Sequence, residues 1–159
     1  MKGLGRGWLR TMALVVLMGS TVWAADLSLP NTVASPGTTV VVSVDYRALK
    51  DQVAAMQFDV LFDPTEVAIT AVNVGPASSD AGKVVSSNLL APGRMRVVIF
   101  GLNQNVIGDG IVANLTVVVG GETRQGPSRL EFDTVVGASP DAAEVPIRSH
   151  FGQIVVLPH

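Results

Sequence analysis

Cysteine is absent from this sequence, which removes disulfides, thiolate nucleophiles and cysteine-based metal sites together. Histidine is nearly absent too: only His150 and His159 occur, and the second is the last residue. Acid–base and metal chemistry commonly use such residues or clustered carboxylates. There is no G-x-S-x-G elbow, no H-E-x-x-H pair and no phosphate loop. The two tryptophans, Trp8 and Trp23, both fall in the first two dozen residues, beyond which the chain keeps one tyrosine, Tyr46, and five phenylalanines. Sugar-stacking platforms commonly use exposed Trp or Tyr faces, so they are disfavoured. No helical period of useful length is present either.

The first two dozen residues read as a leader. Lys2, Arg6 and Arg10 form a positive n-region, "MALVVLM" (Met12 to Met18) is a short apolar h-region, and "VWA" places small residues at Val22 and Ala24. This is the pattern of a secretory signal peptide over residues 1–24, with cleavage expected after Ala24. The apolar run is too short to span about 30 Å of hydrocarbon, and no later segment is long and apolar enough to do so. Removing the leader leaves 8 basic against 13 acidic residues, a net charge of about −5. Such a surface repels nucleic acid and anionic lipid. The remaining chain of about 135 residues is long enough to hold a fold by its core alone.

What is present is short alternation rich in Val, Ile, Thr and Phe, punctuated by Gly, Pro, Asn and Asp, the pattern of an all-β sandwich. Nine strands are expected, near residues 27–33, 38–46, 54–62, 67–73, 83–90, 94–100, 110–119, 129–136 and 153–157. "SPG" (35–37), "APG" (91–93) and "GDG" (108–110) supply turns. In the second strand Val40, Val42, Val44 and Tyr46 share a face. In the seventh, Ile111, Ala113, Leu115, Val117 and Val119 do. One wet and one apolar face per strand suits stacked antiparallel sheets.

The third strand runs straight into Asp63-Pro64. Pro64 lacks the N–H a ladder needs, so the strand ends there. Asp63 is expected to accept N–H groups just ahead and start a tight turn before the next strand at Val67. The sixth strand, "RMRVVIFG", is apolar on both faces: Met95, Val97 and Ile99 on one side, Val98 and Phe100 on the other. Two readings stay open for its second face, an exposed patch that meets a partner or a surface covered by a loop.

Three candidate chemical features reduce to structure. "GDG" offers one carboxylate, far short of the 6 to 8 oxygens that calcium takes, and reads as a turn. Asp45, Asp51, Asp59 and Asp63 lie on or beside strands and read as solvated acids. "NLT" (114–116) matches a glycosylation sequon in mid-strand and reads as chance. The inventory argues against an enzyme.

The order "SPGTTVVVSVDY", "VAAMQFDVLFDPTEVAIT", "MRVVIFG", "GDGIVANLTVVV" and "FGQIVV" resembles the cohesin domain across residues 26–157. The resemblance implies a nine-stranded jelly-roll β-sandwich whose first and last strands are adjacent. It also implies a secreted, non-catalytic module, extracellular or periplasmic, that needs no cofactor or metal and binds a calcium-carrying dockerin. Such modules gather polysaccharide-degrading enzymes. In the family the partner lies on the third, fifth, sixth and eighth strands. By that resemblance a polar pair falls at Ala55 and Gln57, an apolar contact at Ile99, an acidic one at Leu102 and an aromatic one near Leu90. Leu61, Val97 and Asn103 complete the expected partner-binding set, with Val98 and Phe100 assigned to the core. Most of the polar positions are occupied here by apolar or neutral residues. A standard dockerin would lose charge-assisted bonds worth about 1.5–3 kcal/mol each and is not expected to bind, so a dockerin-like partner of different chemistry is the leading expectation. The alternatives are a carbohydrate-binding module of the same fold, with polysaccharide as ligand, and a structural domain pairing apolar strands between copies.

Overall fold

Valine-rich alternation sets the architecture. A computed structural model describes residues 24–159; apart from Ala24, the expected signal peptide lies outside them. The strands are β1 (Ala25–Ser28), β2 (Asn31–Ala34), β3 (Thr39–Arg47), β4 (Ala55–Leu61), β5 (Val67–Val74), β6 (Val84–Ala91), β7 (Arg94–Phe100), β8 (Gly110–Val119), β9 (Gly126–Ala138), β10 (Glu144–Val145), β11 (Ile147–His150) and β12 (Gly152–Val156). One short helix, α1 (Pro76–Asp80), joins β5 to β6. One sheet has the order β11-β1-β3-β8-β5; the other runs β2-β12-β9-β4-β7-β6, with β10 added to β9. Together they form the expected jelly-roll sandwich, with strands in place of each of the nine anticipated.

The strand count differs for a local reason. Pro30 splits the first expected strand, because proline has no N–H to give a ladder. Its two halves join different sheets. The C-terminal segment does the same, so β11 runs parallel to β1 and β12 parallel to β2. At the crossing, Leu29 N–H donates to the His150 carbonyl at 3.1 Å. A Cβ on Gly152 would stand 2.3 Å from the Pro30 carbonyl oxygen, so only glycine fits. The helix and the strands between Glu144 and His150 were not expected, being too short for a legible period. Ser78 anchors the helix by donating its hydroxyl to the Val112 carbonyl at 2.9 Å.

The apolar faces meet as anticipated. Val42, Val44 and Tyr46 of β3, Met56, Phe58 and Val60 of β4, and Leu115, Val117 and Val119 of β8 are all buried. Phe58 meets Phe132 edge to face at 5.4 Å between centroids. A bulge between Val44 and Asp45 shifts the β3–β8 register. It buries Val112 and leaves Ile111 half-buried, reversing the strict alternation expected there.

The turn after β4 is built as the sequence implies. Asp63 Oδ1 accepts the Thr65 N–H at 2.8 Å and the Thr65 hydroxyl at 2.6 Å. The Asp63 carbonyl accepts N–H groups from Glu66 and Val67. These Thr65 hydrogen bonds hold the Asp63 carboxyl below the usual carboxylate range.

Candidate functional site

β9, β4, β7 and β6 present one outer surface, and their register arranges its side chains in rows. Ala138 faces Ala55; Val136, Gln57, Val98 and Ser86 form the next row; Phe100 pairs with Val84. Further along come Asp133, Asp59, Arg96 and Asn88, then Glu131, Leu61 and Arg94. One end is therefore apolar or neutral and the other charged.

At the apolar end Phe100 is 43% exposed and Val84 53%. A shallow depression of about 160 Å³ lies among Ala55, Gln57, Val98, Val136 and Ala138. Beside it, a broader hollow of about 510 Å³ is bordered by Val84, Phe100, Leu102 and Asn103. Leu102 projects fully into solvent. Behind this corner Lys83 is buried, and its Nζ donates to the Asn103 Oδ1 at 2.7 Å and to the Asn103 carbonyl at 3.0 Å. Burial lowers the Lys83 pKa. Asn103 also accepts the Asn105 N–H and donates to the Gly82 carbonyl.

The charged end is an ionic network. Asp59 has no exposed surface although it lies on the outer face. Arg96 grips it with Nε on Oδ1 at 2.7 Å and Nη2 on Oδ2 at 3.0 Å, the bidentate geometry that favours arginine. Arg94 Nε donates to Asp59 Oδ2 at 2.9 Å, and its Nη2 reaches Asp133 at 2.8 Å. The Arg96 hydrogen bond outweighs desolvation and, with Arg94, holds the Asp59 carboxyl below its ordinary range. A bulge in β9 serves this network. Between Gln57 and Asp59 the β9 register skips a residue, and Thr134 takes a φ of 50°. Its hydroxyl accepts from Arg94 at 3.2 Å.

Several expectations need correction. Val97 and Ile99, assigned to the partner face, have no exposed surface and lie in the core. Val98 and Phe100, assigned to the core, point outward. The physical reason is parity: Arg94, Arg96, Val98 and Phe100 share one side of β7, and the uninterrupted apolar side, Met95-Val97-Ile99, fills the sandwich. Asp59 is not a solvated acid but a roofed one. Of the remaining expected contacts, Ala55 and Gln57 border the small depression, and Leu102 and Asn103 the broader hollow. Asn103 has its polar groups committed to Gly82, Lys83 and Asn105. Leu61 and Leu90 lie at the opposite end, Leu61 half-buried beside Arg94 and Leu90 exposed at a bulge in the edge strand β6. Val84, Val136 and the Arg94–Arg96–Asp133 cluster were missed; the two arginines in "RMRVVIFG" already marked which face is wet.

The other chemical candidates find structural roles. Asp109 of the "GDG" turn accepts the Ala48 N–H at 2.8 Å. Asn114 accepts the Ser43 hydroxyl at 2.7 Å. Among the described residues no group of three or more His, Cys, Asp or Glu is placed to hold a metal ion. No described helix is long and apolar enough to cross a membrane.

Comparison with known proteins agrees with this geometry. A model of the cohesin domain matches residues 25–156. No curated protein sequence matches the chain. Among solved structures, the sixth cohesin of scaffoldin B from Acetivibrio cellulolyticus, in complex with a Cel5 dockerin, superposes with a TM-score of 0.76 at 19% identity, covering 84% of this chain and 99% of that one. A Clostridium acetobutylicum cohesin solved in solution gives 0.73 at 21% identity, covering 84% and 90%. A non-cellulosomal cohesin from the archaeon Archaeoglobus fulgidus gives 0.72 at 15%, covering 85% and 92%. At these identities the solved structures speak for the fold, while the family model spans nearly the whole described chain. This chain belongs to the cohesin domain family.

Proposed function

We propose that this chain is an exported, non-catalytic interaction module that captures a dockerin-like protein on the outer face of the β9–β4–β7–β6 sheet. The observation that carries the reading is the open apolar end of that face. Val98 and Val136 line the small depression, and the exposed Phe100 and Val84 border the broader hollow beside it. Contiguous apolar surface of this kind on a closed sandwich marks a partner site. The Asp59–Arg94–Arg96–Asp133 network borders it and fixes the orientation of whatever lands there. Ala55 and Gln57 give a partner no charged group to pair with, so an apolar side chain of the dockerin-like module is expected in the depression. Export rests on the leader read at residues 1–24, and a role in polysaccharide-degrading or cell-surface assemblies rests on the family alone.

Calorimetric titration with calcium-loaded dockerin modules, chosen to vary from polar to apolar contact surfaces, tests the reading. Affinity electrophoresis in cellulose, chitin and xylan gels runs beside it. Binding of a dockerin with an apolar contact surface, and unretarded migration in all three gels, is the expected outcome. Retardation by a polysaccharide with no dockerin bound would replace this reading with a carbohydrate-binding module.

A further inference from the structure

The first residue of β1 is completely buried, and its backbone nitrogen is engaged by a side chain. Ala25 N–H donates to the Asp51 Oδ2 at 2.8 Å. We infer that hydrolysis of the Ala24–Ala25 bond creates a structural ion pair, in which the new α-ammonium group of Ala25 docks on the Asp51 carboxylate and fastens β1 into its sheet. The inference rests on the leader reading, with Val22 and Ala24 as the small residues a signal peptidase requires. It does not depend on the identity of the docking partner.

Asp51 is held in place to receive that group. Its N–H donates to the Ala48 carbonyl at 2.9 Å, closing a turn in which Leu49 has a φ of 53°. The Ala48 N–H is in turn anchored on Asp109 at 2.8 Å. Tyr46 is fully buried nearby, and its hydroxyl has no protein hydrogen-bond partner among the described residues. Burial first, then the charges of Asp51 and Asp109, push its pKa up. Asp51 thus lies near both the buried Tyr46 hydroxyl and the Ala25 nitrogen. A peptide N–H offers Asp51 one neutral donor; an ammonium offers three donors and a full positive charge.

The step is an ordinary hydrolysis by a secretory signal peptidase. One water is consumed, the C–N bond breaks, Ala24 leaves as a carboxylate and the Ala25 nitrogen becomes an amine that takes up a proton. The charged groups around the site are accounted for on each flanking element. Asp26 of β1 is paired with Arg148 at 3.0 Å and His150 at 3.3 Å, both on β11. Arg47 of β3 pairs with Asp45 at 3.7 Å. Lys50 and Asp51 belong to the turn, and Asp109 to the segment before β8. A free α-amino group titrates at about 7.7–8.0, and Asp51 raises that value in the folded state. The stabilisation is then fully present below about 7.7 and fades as pH climbs through the raised value.

The full precursor, expressed in an exporting bacterium, provides the test. Intact-mass spectrometry reads the first residue of the exported product. The pH dependence of α-amine acylation, measured on the folded product, reads its titration. The product is expected to begin at Ala25, with an α-amine that titrates above its ordinary range. Acylation at pH 7.5 should be about tenfold slower than in Asp51→Asn, the equivalent of one pKa unit. A gap in Tm between wild type and Asp51→Asn is expected at pH 6 and should shrink by pH 10. If Asp51→Asn fails to accumulate, Asp51→Glu, which keeps the charge, should retain the raised titration. A product beginning elsewhere, or an α-amine titrating in its ordinary range in the wild-type protein, would overturn the inference.

Discussion

Two ends of one sheet face carry opposite kinds of surface. At the apolar end, Val84, Phe100 and Val136 are exposed and Val98 between them is half-buried. At the charged end, every carboxylate oxygen of Asp59 is engaged by Arg94 or Arg96, and Arg94 reaches on to Asp133. The charged end is complete within the molecule, so it contributes to the fold whether or not a partner arrives. The apolar end is incomplete, and burying its side chains is the favourable change that docking would bring. Polarity on a protein surface thus need not mark the binding site; here it marks the part that is already satisfied.

Moving a charge one residue along β7 gives the largest effect. Ile99→Asp buries an unpaired carboxylate in the core and is expected to abolish cooperative folding, seen as loss of the thermal transition by circular dichroism. Next comes the charged end. Asp59→Asn weakens a network in which a buried acid meets two partly exposed arginines, and should cost about 1–3 kcal/mol by urea denaturation. The same variant should alter the acid limb of stability. Because the folded Asp59 pKa lies below its ordinary value, its contribution is present above the unfolded value of about 3.9 and is lost as pH falls through the folded one. Wild type should therefore lose stability more steeply than Asp59→Asn below about pH 4. The smallest effect belongs to Leu90, remote from the apolar end despite its place among the expected contacts. Leu90→Ser should change stability and dockerin affinity by less than about 0.5 kcal/mol.

Most of the fold was legible because alternation over six or more residues determines which face is buried. β3 follows its period, β8 does so from Ala113 onward and β4 does so apart from Asp59, and Asp63-Pro64 ends β4 as its chemistry requires. The pieces that were not legible are short or switch sheets: α1, the strands from Glu144 to His150, and the break at Pro30. The site was legible as a face but not as a set of side chains. β7 has two apolar sides, and family positions carried onto Ile99 and Val97 selected the buried one. Arg94 and Arg96 held the parity that decides it, since two arginines in step with Val98 and Phe100 cannot point into a sandwich core. The roofing of Asp59 needed three strands and the bulge at Thr134 to be in register, which no single segment encodes.

Titration of a bound dockerin-type partner against two surface variants tests the docking face most directly. Val98→Asp places a charge beside the small depression, where Val98 is half-buried, whereas Val41→Asp places one on the outer face of the other sheet, where Val41 is exposed. Both should melt close to wild type. Val98→Asp is expected to weaken binding at least about 30-fold, the scale of a hot-spot residue, while Val41→Asp binds as wild type does. Unchanged affinity in Val98→Asp with loss in Val41→Asp would put the partner on the opposite sheet and contradict the account.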